Sequence, residues 1–127
     1  MKWVKQSIHY WCPDTKEHKF LGQNVTVAIL DTGISPHPDF KGRILSFRDF
    51  SSTTGSSEKV LFSFSHFSPL IDNSGHGTHV AGILAGSGLL SSGTYAGIAP
   101  FCNLIIGKVL DQNGNGSIKN VINGIQW

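Results

Sequence analysis

Charge of one sign is scarce in this chain of 127 residues: ten Lys and Arg stand against eight Asp and Glu, for a net charge of +2. No block of basic residues occurs, so nothing points to nucleic acid as a partner. Long hydrophobic runs are also lacking, and none approaches the roughly 18 apolar residues of a membrane span. A membrane partner is therefore not expected. The opening Met1-Lys2-Trp3-Val4-Lys5-Gln6 is charged but is not followed by the apolar core of a signal peptide. On that basis a cytoplasmic location is favoured over a secreted one. Two cysteines, Cys12 and Cys102, are too few for a disulfide scaffold. They are expected as free thiols, with Cys102 a small buried side chain beside a strand.

What remains is an ordinary globular composition, 39% hydrophobic with 15 glycines. The length suits one domain or part of one. Residues 1–21 form a lead-in with helix expected around 2–10, broken by Cys12-Pro13-Asp14. Cys12, His9 and His18 lack the paired spacing of a metal site. Residues 22–127 form the core. Within it, Val25-Thr26-Val27-Ala28-Ile29-Leu30 is a nearly continuous apolar and β-branched run, the pattern of a buried central strand in a parallel sheet. Asp31 follows it directly. A carboxylate there sits where open α/β sheets bind ligands, although a turn or helix-capping aspartate fits the position equally well.

Ser35-Pro36-His37-Pro38-Asp39 reads as a rigid turn with His37 structural. Arg43 to Phe50 reads as a short strand, 51–57 as a loop, and Lys59 to Phe67 as the second strand of a hairpin. Asp72 is placed to brace the segment after it. Asn73-Ser74-Gly75-His76-Gly77-Thr78-His79-Val80-Ala81-Gly82 turns from a small polar loop into an apolar run that continues to Ala85. That suits a helix packed deep in the domain, with His76 at its N-terminal end and glycines at 75, 77 and 82 where backbone or substrate passes close. Leu89 to Thr94 is a surface excursion. Asn103 to Leu110 reads as a second buried strand. Ser117 caps a last helix with apolar residues Ile118, Val121, Ile122 and Ile125 at i, i+3, i+4 and i+7. Alternating strands and helices make the class α/β.

Asp31 and His76 taken together suggest chemistry. A buried carboxylate that accepts from one imidazole nitrogen fixes the tautomer, and the other nitrogen can then remove a proton from a nucleophile. The carboxylate raises the imidazole's affinity for protons, whereas the helix terminus lowers it. The sequence leaves that balance open.

At these residues the chain resembles the subtilisin family of serine proteases. Val25 to Ile34, with His37-Pro38-Asp39-Phe40 behind it, resembles the family's aspartate motif. Gly75-His76-Gly77-Thr78-His79-Val80-Ala81-Gly82 resembles its long and specific histidine motif. Gly97-Ile98-Ala99-Pro100 through Lys108-Val109-Leu110, and Asn123 to Trp127, resemble the strand and helix that follow. The resemblance implies a three-layer sandwich with a mainly parallel sheet, present incompletely and corresponding to an N-terminal portion of the peptidase domain. It makes Asp31 the orienting acid and His76 the general base. It makes Gly114, Asn115 and Gly116 the edge that pairs with a peptide or protein substrate, with Leu110, Ile118 and Val121 lining pockets for residues before the cut.

The family's order is Asp, His, then Ser, and its serine lies in a Gly-Thr-Ser-x-Ala type motif. These 127 residues hold no such motif. The chain alone is thus expected to be inactive, with exposed apolar faces that favour self-association or a missing C-terminal segment. No cofactor is required. Asp39 matches a position that ligates structural calcium in some members, but the 87–94 loop is longer and richer in serine and glycine than the calcium-binding version. Three other readings exist: a truncated or pseudo-protease module that binds peptides or complements a separate half, a retroviral-type aspartic protease using Asp31, and a metal site from His76 and His79. The last lacks the glutamate of a His-Glu-x-x-His motif.

Overall fold

The protein is described by a computed structural model that covers residues 2–8, 10, 20–51, 58–60 and 72–127. His9, Cys12, His18 and residues 61–67 of the expected hairpin strand lie outside the described residues. Four strands, β1 (Thr26–Asp31), β2 (Ile44–Asp49), β3 (Glu58–Val60) and β4 (Asn103–Lys108), form one sheet in the order β1-β4-β2-β3. β1 runs parallel to β4 in unbroken register from Thr26↔Asn103 to Asp31↔Lys108. β2 lies parallel on the other side of β4, and β3 pairs antiparallel with β2 through Ser46↔Val60. The short antiparallel pair is the described part of the expected hairpin.

Helices cover both faces. α2 (His76–Ala85) buries Gly77, Ala81 and Ala85, spaced four apart so that they form one stripe. That stripe lies against Ile29, Ile34, Phe40, Phe47, Leu104 and Ile106, the centre of the core. On the opposite face α3 (Ile118–Gln126) brings Gly124 against the strand residue Leu30 and against Val109. Leu30 alternates with Ile29 along β1, so the two helices cover opposite sides. The result is helix, sheet, helix: a mainly parallel α/β arrangement in three layers.

Two expectations are corrected. The apolar run at 25–30 does not form the central strand of the sheet described here. β4 takes that place, and β1 is an edge, with Val25 just before it 50% exposed. An apolar pattern reports how much surface a strand can bury, not which neighbour covers it. Likewise α2 is not enclosed all round, since Ile83 on its outer side is 41% exposed.

Ser117 caps α3 as expected, its hydroxyl accepting from Asn120 N at 3.1 Å. The outer apolar face of α3 is open, with Ile118, Ile122 and Ile125 exposed. In the lead-in, α1 (Lys2–Ser7) is shorter than the pattern implied, and the Tyr10 hydroxyl ties this segment to the core by donating to Ile98 O at 2.7 Å. No helix among the described residues is long and apolar enough to cross a membrane.

Candidate active site

β1 delivers Asp31 to the carboxyl rim of the sheet. The Asp31 carbonyl accepts from Val109 N at 2.9 Å and Leu110 N at 3.2 Å, so the backbone there is held by the chain leaving β4. The side chain is largely buried, and its Oδ1 accepts from Thr32 N at 2.7 Å. His76, the first residue of α2, places Nδ1 2.8 Å from the same oxygen. A carboxylate can only accept, so in the neutral ring Nδ1 carries the proton and Nε2 keeps its lone pair. The imidazole is 63% exposed, leaving that lone pair open to a reactant.

The groups around His76 shift its pKa upward. The hydrogen bond to Asp31 and then the charge of Asp31 raise its pKa above the ordinary histidine value. Slight desolvation opposes them, and the charge of Asp72 adds to them.

The first turn of α2 is held from outside the helix. Gly75, at φ 83°, offers no capping side chain. Asp72 supplies one instead: Oδ2 accepts from Thr78 N at 2.8 Å, and Oδ1 accepts from Gly75 N at 2.9 Å and from Thr32 Oγ1 at 2.8 Å. The Thr78 hydroxyl also donates to this carboxylate and accepts from Ser35 N at 2.9 Å. Burial would push the Asp72 carboxyl up. The hydrogen bonds from the Thr78 side chain and amide, the Thr32 hydroxyl and the Gly75 amide outweigh it and hold the pKa at about 2. The expectation that Asp72 braces this loop describes these contacts.

Two cations, one buried and one half-buried, complete the framework, and local pattern singled out neither. Lys108, 6% exposed, donates to Thr32 O and to Leu110 O, tying together the two segments that leave β1 and β4. Arg43 donates to Asp39 O, to Ala85 O at the end of α2, and to Cys102 O at 2.8 Å. Burial lowers the Arg43 pKa against the opposing charges of Cys102 and Asp39. Cys102 is wholly buried beside β4, as expected, and burial pushes its thiol pKa up.

Of the remaining candidates, Leu110 meets the pair through its backbone amide on the Asp31 carbonyl. Gly114, Asn115 and Gly116 form an exposed loop closed by Asp111, whose Oδ1 accepts from Asn113 N and Asn115 N. Leu110 and Val121 are half-buried, and Ile118 is 80% exposed. Asp39 accepts from Gly88 N at 3.0 Å, and His37 Nδ1 accepts from Asp39 N at 3.2 Å. Asp39 Oδ2 is thus engaged by an amide donor, whereas a hard cation needs about six oxygens around it. Among the described residues no cluster of three or more His, Cys, Asp or Glu could hold a metal, His76 and His79 included. Of the three glycines in the histidine segment, Gly77 meets backbone closely and Gly75 needs its positive φ, but a Cβ at Gly82 would meet nothing within 4 Å.

An imidazole held by a buried carboxylate at the carboxyl rim of a mainly parallel α/β sheet has the arrangement of a class of site that can activate a nucleophile. The comparisons give that class a family. The family model described as the Subtilase family matches residues 22–127, and the chain belongs to that family. It is 47% identical over 106 residues to Serine protease AprX of Bacillus subtilis (strain 168), which covers 84% of this chain and 21% of that protein. It is 41% identical over 108 residues to the Major intracellular serine protease of the same organism, covering 84% of this chain and 30% of the relative. The solved structure of Sphericase superposes with a TM-score of 0.68 at 30% identity, over 82% of this chain and 31% of that one. The chain thus spans less than a third of each of these proteins. Membership sets aside the retroviral-type aspartic protease.

Proposed function

We propose that this chain supplies the acid–base part of a serine endopeptidase site, with Asp31 as the orienting acid and His76 as the general base. The observation that carries the reading is the 2.8 Å contact from His76 Nδ1 to Asp31 Oδ1 on a side chain that is 63% exposed. In the reaction, Nε2 takes the proton of a serine hydroxyl as that oxygen attacks a peptide carbonyl, then returns it to the leaving amine. Asp31 keeps Nδ1 as the donor and stabilises the imidazolium between those two steps. An extended peptide would pair with the backbone of Gly114, Asn115 and Gly116, with Leu110, Ile118 and Val121 beside its side chains.

The 127 residues contain no Gly-Thr-Ser-x-Ala motif. The chain alone is therefore inactive and gains activity only when a serine-bearing segment completes the site. The test is casein hydrolysis by the chain alone, and by the chain mixed with the serine-bearing remainder of a subtilase domain. Only the mixture should cleave, and His76→Ala should abolish that cleavage. Casein hydrolysis by the chain alone, lost on His76→Ala, overturns the inactivity. Activity of the mixture that ignores His76→Ala overturns the assignment of the base.

A further inference from the structure

Thr32 touches both halves of the candidate site without belonging to either. Its amide donates to Asp31 Oδ1 at 2.7 Å, while its hydroxyl accepts from Gly77 N at 2.9 Å and donates to Asp72 Oδ1 at 2.8 Å. The side chain is 1% exposed, so water does not compete for these bonds. Their direction is set by chemistry. A carboxylate cannot donate, so Asp72 fixes the hydroxyl hydrogen on its own side and leaves a lone pair for the Gly77 amide. That amide is bonded to the His76 carbonyl, and the Thr32 amide to the Asp31 carbonyl. One hydroxyl therefore measures the distance between the two residues that must meet.

We propose that Thr32 and Asp72 are positioning residues: through the chain Asp72–Thr32–Gly77 they set the height and rotation of the first turn of α2 at which His76 Nδ1 reaches Asp31. This rests on the serine-protease reading of that pair. Neither residue touches the reacting atoms. A second link runs in parallel, because Thr78 Oγ1 accepts from Ser35 N at 2.9 Å while its hydroxyl is held by the same Asp72. Two sequential amides of the first helical turn, on Gly77 and Thr78, are thus satisfied by groups that also fix the turn after β1. A plain helix cap would stabilise α2 and leave the ring of His76 as it is. A positioning pair holds the ring against one oxygen.

The charge of Asp72 also acts on His76, so the decisive substitution is Thr32→Val, which removes the hydroxyl and changes no charge. Ring nitrogen chemical shifts of ¹⁵N-histidine-labelled chain report which nitrogen carries the proton. In the unaltered chain, above the His76 titration, the Nδ1–H form should dominate, and Asp31→Asn should swing it to the Nε2–H form that free imidazole favours. Thr32→Val should move the ring at least halfway to the Asp31→Asn value, while Thr32→Ser, which restores the hydroxyl, should stay near the unaltered one. Shifts unchanged in Thr32→Val, or displaced equally in Thr32→Ser, overturn the proposal. If Thr32→Val loses amide protection in β4, Thr32→Ala, which also removes the hydroxyl and changes no charge, is read in its place. There a displaced ring supports the proposal, and an unmoved ring overturns it. A ring that favours Nε2–H before any substitution, or ignores Asp31→Asn, brings down the protease reading itself and the proposal with it.

Discussion

A Cβ placed on Gly77 would lie 2.2 Å from the carbonyl oxygen of Gly33 and 3.1 Å from Asp31 Oδ1. The helix carrying His76 and the turn leaving β1 are therefore as close as two backbones can come. Gly77→Ala must push them apart, because the closer of the two contacts is to backbone, which cannot swing aside as a side-chain end does. The expected cost is roughly 2–4 kcal/mol, in the range of substitutions that force backbone apart in a packed interior. Urea denaturation followed by tryptophan fluorescence measures it. A midpoint within error of the unaltered chain would show that the two segments yield more easily than their packing implies.

The raised pKa of His76 has a definite sign in pH. The protonated imidazole is favoured by Asp31, so its pairing contributes most below the ordinary histidine value of about 6.5 and is lost as pH rises through the folded value. Catalysis needs the opposite, neutral form. In a completed site, activity should fall on acidification with a midpoint above about 6.5. Asp31→Asn removes both the hydrogen bond and the charge that raise the value, so that midpoint should move down. It should also lose on the order of 10⁴-fold in rate, the effect of leaving a triad histidine in the wrong tautomer. An NMR titration of the His76 ring protons in the chain alone checks the direction without any activity. A midpoint unmoved by Asp31→Asn would contradict the assigned cause.

Asp72 predicts a different window. Its pKa of about 2 lies below the unfolded aspartate value of about 3.9, so it binds fewer protons folded than unfolded. Its contribution is full above about pH 4 and is lost as pH falls through about 2. Asp72→Asn keeps the shape but loses a charged acceptor, and at pH 7 it should cost about 1 kcal/mol, as the loss of a helix N-cap does. The same comparison at pH 2 should show a smaller gap. Denaturation midpoints of the two chains at pH 7, 4 and 2 decide it, and a gap that widens on acidification refutes the account.

Local pattern revealed the elements better than it revealed their connections. The run 25–30, the switch to helix after His76, the Ser117 cap and the strand at 103–108 all follow from periodicity and capping chemistry. Periodicity could not place β1 at an edge, because the same apolar residues serve either position. The polar links that set the site are long-range: Thr32 to Asp72 spans 40 residues, Arg43 to Ala85 spans 42 and Lys108 to Thr32 spans 76. A threonine, an arginine and a lysine carry no periodic signal, and their partners are mostly backbone carbonyls that every residue possesses. Asp31 and His76 were legible because their neighbours form distinctive motifs. Thr32 stands inside one of those motifs, yet its role depends on a hydroxyl direction that only the fold defines.

Arg43 offers the sharpest test of the framework behind α2. Its guanidinium donates to carbonyls from three separate segments, those of Asp39, Ala85 and Cys102, and the Ala85 carbonyl ends the helix that begins with His76. A cation at that end also suits the negative pole of the helix. Arg43→Met keeps the apolar stem but removes every donor, leaving partly buried carbonyls unpaired at roughly 1–3 kcal/mol each where water cannot reach them. Lysine restores the charge without the planar fork, so Arg43→Lys should recover part of the loss. Cys102 provides the local readout. It is 0% exposed and burial holds its thiol protonated, so alkylation of the native chain should be slow at this residue. Arg43→Met should speed Cys102 alkylation at least tenfold under native conditions, followed by peptide mass mapping so that Cys12 is counted separately. An unchanged Cys102 rate with a lowered denaturation midpoint would place the effect of Arg43 in the charge at the helix end rather than in closing the core around Cys102.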